Sequence, residues 1–214
     1  MRDFTQQTGL KRQYDREQVA TVQGLNSSPA SGTIKSLDID DFDVLAEAHG
    51  IYPEVSRIIT STIREYERQG GVFFADVKYG EFYDHRTGKP ALLQTSFNKY
   101  GQVILNVNSK LLGGHSIEEI DGRIAATKSN LPQSLREATI HECGHAKAYY
   151  GKTEKEIETM NTKLAANGVP GISSIAEEDG AECIAEVEVL LSRGEEVPVE
   201  AMELYEKYTR GVGK

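Results

Sequence analysis

Cysteine is nearly missing from this chain of 214 residues. With only Cys143 and Cys183 present, each inside a predicted helix beside a candidate metal ligand, no disulfide framework exists and both read as buried free thiols. Long apolar runs are missing as well. No stretch of eighteen apolar residues occurs, and the opening residues MRDFTQQTGLKRQYDREQ lack the apolar core of a signal peptide, so neither a membrane span nor a secretory leader is expected and no membrane partner is assigned. Basic residues are outnumbered, 24 Lys and Arg against 33 Asp and Glu, for a net charge of −9 and a pI near 5.1. That balance excludes the clustered basic face by which proteins bind nucleic acid.

What is present suffices for one domain with a core, or one domain with a tail, and is too short for two ordinary domains. Residues 1–36 are rich in Gln, Thr, Ser, Arg and Gly, contain NSSPASG, and carry neither helical nor strand periodicity, which predicts a flexible polar tail or linker. Residues 37–214 form the predicted domain. Val55, Ile58, Ile59, Ile63 and Tyr66 recur at helical spacing before a Gly-Gly stop, which predicts a helix over 53–69. Strand-like runs follow at 72–79, 91–97 and 102–108, separated by turn-formers, and predict a small sheet with an antiparallel pair. The last hundred residues carry four capping-box signals, Ser116 with Glu119, Ser134 with Glu137, Thr153 with Glu156 and Ser174 with Glu177, each predicting a helix start. Gly151, Gly168 and Gly194 stand at the expected stops and Pro198 at the start of a last helix. The order of elements is α+β, with a small mixed sheet packed on helices.

Chemistry concentrates in His141-Glu142-Cys143-Gly144-His145. Imidazoles four residues apart on a helix lie about 40° apart around the axis, one turn up, so both reach one ion. Neutral imidazole nitrogens suit Zn²⁺ at about 2.0–2.1 Å. Glu142, next to the first histidine, cannot easily be a third ligand from the same helix, but it can take a proton from a water at the metal. HExxH arises by chance in a chain of this composition about one per cent of the time, so context decides. Here the motif follows a sheet and lies in a capped helix, the setting the chemistry requires.

A catalytic zinc site takes three protein ligands and leaves one position open. The helix predicted from Ile175 carries Glu177, Glu178, Glu182, Glu186 and Glu188, and the helical wheel separates them. With Glu182 at zero, Val189 lies about 20° away, Glu186 about 40° and Ala185 about 60°, while Glu188 lies about 120° round. Glu182 and Glu186 therefore fall in an apolar face, where a carboxylate needs a partner. Glu182 is assigned as the third ligand and Glu186 as its support or reserve.

At these residues the chain resembles a known group. HECGHA followed by ISSIAEEDGAECIAE is similar to the HExGHA and SxYAxxNxxExFAE segments of zincin-like metallopeptidase domains, the group that includes anthrax lethal factor and toxin or phage head-protein modules. The resemblance covers about residues 134–192 and implies a zincin-like fold, His141, His145 and Glu182 as zinc ligands, Glu142 as general base and Glu186 as a supporting carboxylate. With no signal peptide recognised, the expected location is cytoplasmic or inside a phage particle. Where the group has a tyrosine that stabilises the oxyanion, this chain has Ile175, and where it has asparagine it has Asp179. Isoleucine cannot donate a hydrogen bond; Tyr149, Tyr150 and His115 are the substitutes to consider, and His49 and His85 receive no role. The leading expectation is a zinc-dependent endopeptidase acting on a peptide or protein laid along an edge strand at 102–108. The alternative is a zinc-binding structural or assembly module with weak or no catalysis.

Overall fold

The computed structural model describes residues 39–69, 74–84 and 86–210; the tail predicted over 1–36 lies outside them. Among the described residues there are nine helices and one three-stranded sheet, the expected α+β composition. No helix among them is long and apolar enough to cross a membrane.

Helix α1 (Ile39–Ala48) leads into α2 (Pro53–Arg68), where Pro53, which lacks an N–H, sits in the first turn, a position whose N–H would have no intrahelical acceptor. The stripe Val55, Ile59, Ile63 and Tyr66 is buried as its spacing predicts. Strands β1 (Asp76–Gly80), β2 (Leu93–Phe97) and β3 (Val103–Asn108) pair in the order β1-β3-β2. β2 runs antiparallel to β3, with Thr95 opposite Leu105, and β1 runs parallel to it, with Val77 opposite Leu105.

Strand 102–108 is therefore the middle of the sheet, and both of its edges are already paired. The expectation of a substrate along that strand is corrected on this point. All six residues of β3 are buried, and its two asparagines are consumed as staples. Asn106 Nδ2 donates to Ser96 Oγ at 2.8 Å, and Asn108 Nδ2 donates to the carbonyls of Phe82 (3.0 Å) and Ala91 (2.8 Å).

After the short α3 (Ser109–Leu112) come α4 (Ile117–Ala125), α5 (Leu135–Tyr149) and α6 (Glu154–Leu164). Complete capping boxes open α4 at Ser116 and α6 at Thr153. At α5 the Ser134 side chain caps Glu137 N–H, but the Glu137 carboxylate turns instead to Gln133 N–H (2.7 Å) and Arg193 (2.7 and 2.8 Å). Helix α6 ends at Leu164, earlier than Gly168 suggested, and Ala166 takes the positive φ of 60°.

The helix expected from Ser174 onward is two helices. Ser173, not Ser174, caps the short α7 (Ser174–Glu178). The chain then extends at Asp179, whose side chain accepts from Ala181 N–H at 2.7 Å and opens α8 (Gly180–Arg193). Helix α9 (Val199–Thr209) closes the described chain.

α5 is the centre of the fold. Rather than burying one stripe it is buried on most sides, by α2, α8 and β2 among others, so that His141 and Glu142 are buried along with Leu135, Ile140, Cys143 and Ala146. Gly144 permits the closest of these approaches: a Cβ there would lie 2.7 Å from Ala185 Cα. Behind it, Glu188 of α8 is only 4% exposed. It accepts from Lys147 Nζ at 2.6 Å, from Tyr66 at 3.3 Å and from the Tyr205 hydroxyl. The wheel had set this glutamate apart from the apolar face; a lysine and two phenols make its burial tolerable.

Candidate metal centre

The front of α5 presents His141 and His145 on adjacent turns, with ring centroids 4.9 Å apart. The first turn of α8 brings Glu182 against them. His141 Nε2 lies 3.2 Å from Glu182 Oε2 and His145 Nε2 lies 3.8 Å from Oε1, and one donor atom from each of the three falls within 4.8 Å of the others. An ion held tetrahedrally at about 2.0–2.1 Å separates its ligand atoms by about 3.3 Å, so small side-chain adjustments suffice to enclose one. Two imidazoles and a carboxylate, largely removed from water, are a donor set that suits a divalent ion. The three predicted ligands are brought together, and they fit.

Glu182 is already paired in this cluster. Burial disfavours the His141 cation, but the hydrogen bond and charge of Glu182 outweigh it and raise its pKa to about 9. Burial works equally against the Glu182 anion, yet His141, His145 and Arg86 hold its carboxyl well below the usual carboxylate range. His145, with burial as its largest influence, is lowered and stays neutral, the form that binds a metal. His141 Nδ1 is buried and makes no hydrogen bond.

Glu142, one residue along, is 8% exposed and points to the sheet. Its Oε2 accepts from Thr95 N–H at 2.6 Å, and its carbonyl accepts from Thr95 Oγ1 at 3.0 Å. Asn108 N–H donates to the Leu92 carbonyl at 3.0 Å, so by antiparallel alternation Leu93, Thr95 and Phe97 turn their backbone groups away from β3. The edge beside the centre that pairs with no other strand among the described residues thus belongs to β2, with Thr95 N–H held by Glu142.

Glu186 is fully buried and lies outside the three-atom group. It accepts from Leu131 N–H at 2.9 Å and from the Ser173 hydroxyl, and burial raises its carboxyl. It ties the approaches to α5 and α7 into the core. Cys143 and Cys183 are free and buried, as expected. Tyr149 stacks on His145 with centroids 6.4 Å apart and accepts from Asn161 Nδ2 at 3.1 Å; burial first of all lifts its phenol to about 12. Tyr150 caps the end of α5. His115 is engaged by Arg123 at 3.2 Å, and His49 stacks on Tyr79 at 4.9 Å. His85 lies outside the described residues, and Ile175 occupies the second position of α7.

Two neighbours of the centre, Thr95 and Arg86, were not anticipated from the sequence, and Asp179, noted there only as a departure from the group's asparagine, is a third. The Arg86 guanidinium places Nη2 3.1 Å from Glu182 Oε1 and Nη1 3.2 Å from Asp179 Oδ2. An Asp-Gly pair at 179–180 is a turn and cap signal that marks the helix break; nothing local marks Arg86 or Thr95.

Compared with family models, with curated proteins and with solved structures, the chain matches none. The likeness to zincin-like domains rests on the motif residues quoted above.

Proposed function

We propose that the chain is a zinc-dependent endopeptidase with a zincin-like domain. The observation that carries this reading is the convergence of His141, His145 and Glu182 from two helices onto one point, with Glu142 beside it facing the edge of β2. A divalent ion bound by those three residues lowers the pKa of a water to about 7 and polarises a carbonyl. The protein's own residues do the rest. An extended peptide pairs with the outward backbone groups of Leu93, Thr95 and Phe97. As it does so, Thr95 N–H passes from Glu142 to the substrate, and the freed carboxylate accepts the proton of the attacking water. The same carboxylate then returns that proton to the leaving amine.

Replacing Glu142 by Gln tests the mechanism directly. The variant is expected to retain about one zinc per chain and to lose hydrolysis of a peptide library by about 10²-fold or more; a fully active variant overturns the role.

A second reading is favoured by Ile175, which offers no hydrogen bond to an oxyanion. Loss of such a donor typically costs about 10²–10³ in rate. In that reading the domain is a zinc-holding structural or assembly module, such as a component of a phage particle. A wild-type protein that binds zinc and cleaves no member of the library supports it.

A further inference from the structure

Arg86 stands where a ligand can be controlled, on a loop held with unusual thoroughness. Asn108 of β3 grips both ends of that loop through the carbonyls of Phe82 and Ala91, and Ala91 N–H closes onto the Phe82 carbonyl at 2.9 Å. At the tip, Asp84 Oδ1 accepts from Arg86 N–H at 2.7 Å and Asp84 N–H donates to the Lys89 carbonyl at 2.8 Å. The guanidinium then spans three carboxylates. Nη1 lies 3.2 Å from Asp179 Oδ2, and Nη2 lies 3.1 Å from Glu182 Oε1 and 3.6 Å from Asp84 Oδ2. Asp179 is itself fixed, because its other oxygen caps α8.

The two oxygens of Glu182 are thereby made unequal. Oε1 lies 3.1 Å from Arg86 Nη2 and 3.8 Å from His145 Nε2, with the guanidinium the nearer, and Oε2 is turned to His141 Nε2 at 3.2 Å. Without the guanidinium, Asp84, Asp179 and Glu182 repel one another, and Glu182 is free to rotate and offer both oxygens to an ion.

We propose that Arg86 is the positioning residue of the metal centre: by holding Oε1 of Glu182 it leaves Oε2 as the one carboxylate oxygen offered to the ion. This rests on the reading of His141, His145 and Glu182 as ligands. It does not depend on catalysis. A single carboxylate oxygen keeps the coordination number low, whereas a two-oxygen carboxylate raises it.

Cobalt(II) reports coordination number through its visible absorption, so the test is to load wild type, Arg86→Gln and Arg86→Lys with cobalt(II) alone and record spectra at equal measured occupancy. Wild type is expected to show the intense absorption of a four-coordinate ion. Arg86→Gln is expected to lose about half of that intensity or more, and Arg86→Lys, which keeps the charge, to recover part of it. Superimposable wild-type and Arg86→Gln spectra overturn the proposal while leaving the metal centre standing. A wild-type protein that takes up no cobalt or zinc removes the metal centre itself. Circular dichroism on the same samples separates a changed ion environment from a changed fold; where Arg86→Gln loses its helical signal, a folded Arg86→Lys decides, an absorption weaker than wild type supporting the assignment and a spectrum superimposable on wild type overturning it.

Discussion

His141 and Glu182 form a charged pair before any ion arrives, and the ion must displace the proton they share. His141 is raised from 6.5 to about 9, so near pH 7 it is almost wholly protonated in the metal-free protein, while a ligand imidazole must be neutral. Metal binding at pH 7 is therefore expected to release about one proton. Calorimetric titration in buffers of different ionisation heat measures that number; a value near zero shows that His141 was neutral already. The same pair sets the pH dependence of the metal-free fold. A raised histidine stabilises fully below its ordinary value of 6.5 and loses this as pH rises through about 9. A lowered carboxylate stabilises above its ordinary value of 4.5 and loses this only in strong acid. The pair's contribution is thus greatest between roughly pH 4.5 and 6.5, and thermal melts with chelator present are expected to fall off on the alkaline side first. At this scale the ligands were legible from local arithmetic alone, a spacing of four on α5 and a wheel position on α8. Arg86 and Thr95 were not, because each meets the centre across about fifty or more residues of chain and neither carries a local signal.

Between elements, the α5–α8 contact decides whether the ligands meet. Gly144 brings Ala185 against the helix axis, Arg193 of α8 grips Glu137 in the first turn of α5, and Lys147 reaches Glu188. Gly144→Ala forces a Cβ to within 2.7 Å of backbone, so the helices must part. The expected cost is about 1–3 kcal/mol, read from the midpoint of urea unfolding, together with weaker metal binding because Glu182 moves with α8. Unchanged metal affinity in a destabilised variant shows that the centre tolerates the shift. Helix existence followed from periodicity and caps that each segment carries itself, which is why α2, α4 and α6 start where expected. Strand order did not, since β3 bears the same alternation whether it is an edge or a middle strand. Its place in the sheet comes from β1 returning parallel to it, a long-range pairing.

Across the whole molecule, the question is whether the metal holds the fold or the fold holds the metal. Small domains that depend on zinc unfold when it is removed, because few other contacts order their ligands. Here the apolar core runs from Phe42 to Tyr205 and draws on α1, α2, the sheet, α5, α8 and α9. The ligand helices are fastened to each other by Gly144 against Ala185, Glu137 with Arg193 and Lys147 with Glu188, contacts that use none of the three ligand side chains. Glu182 also has His141 and Arg86 as partners without an ion. The metal-free protein is therefore expected to keep its far-ultraviolet circular dichroism and a cooperative melt, with added zinc raising Tm through a stabilisation of about 2.7 kcal/mol at a hundredfold excess over Kd. Cooperative loss of helix on chelation at 25 °C reverses this reading and makes the ion a staple, which favours the assembly module over the peptidase. Retention of the fold counts against the staple and favours the peptidase reading, in which Glu142 beside the centre serves as the base.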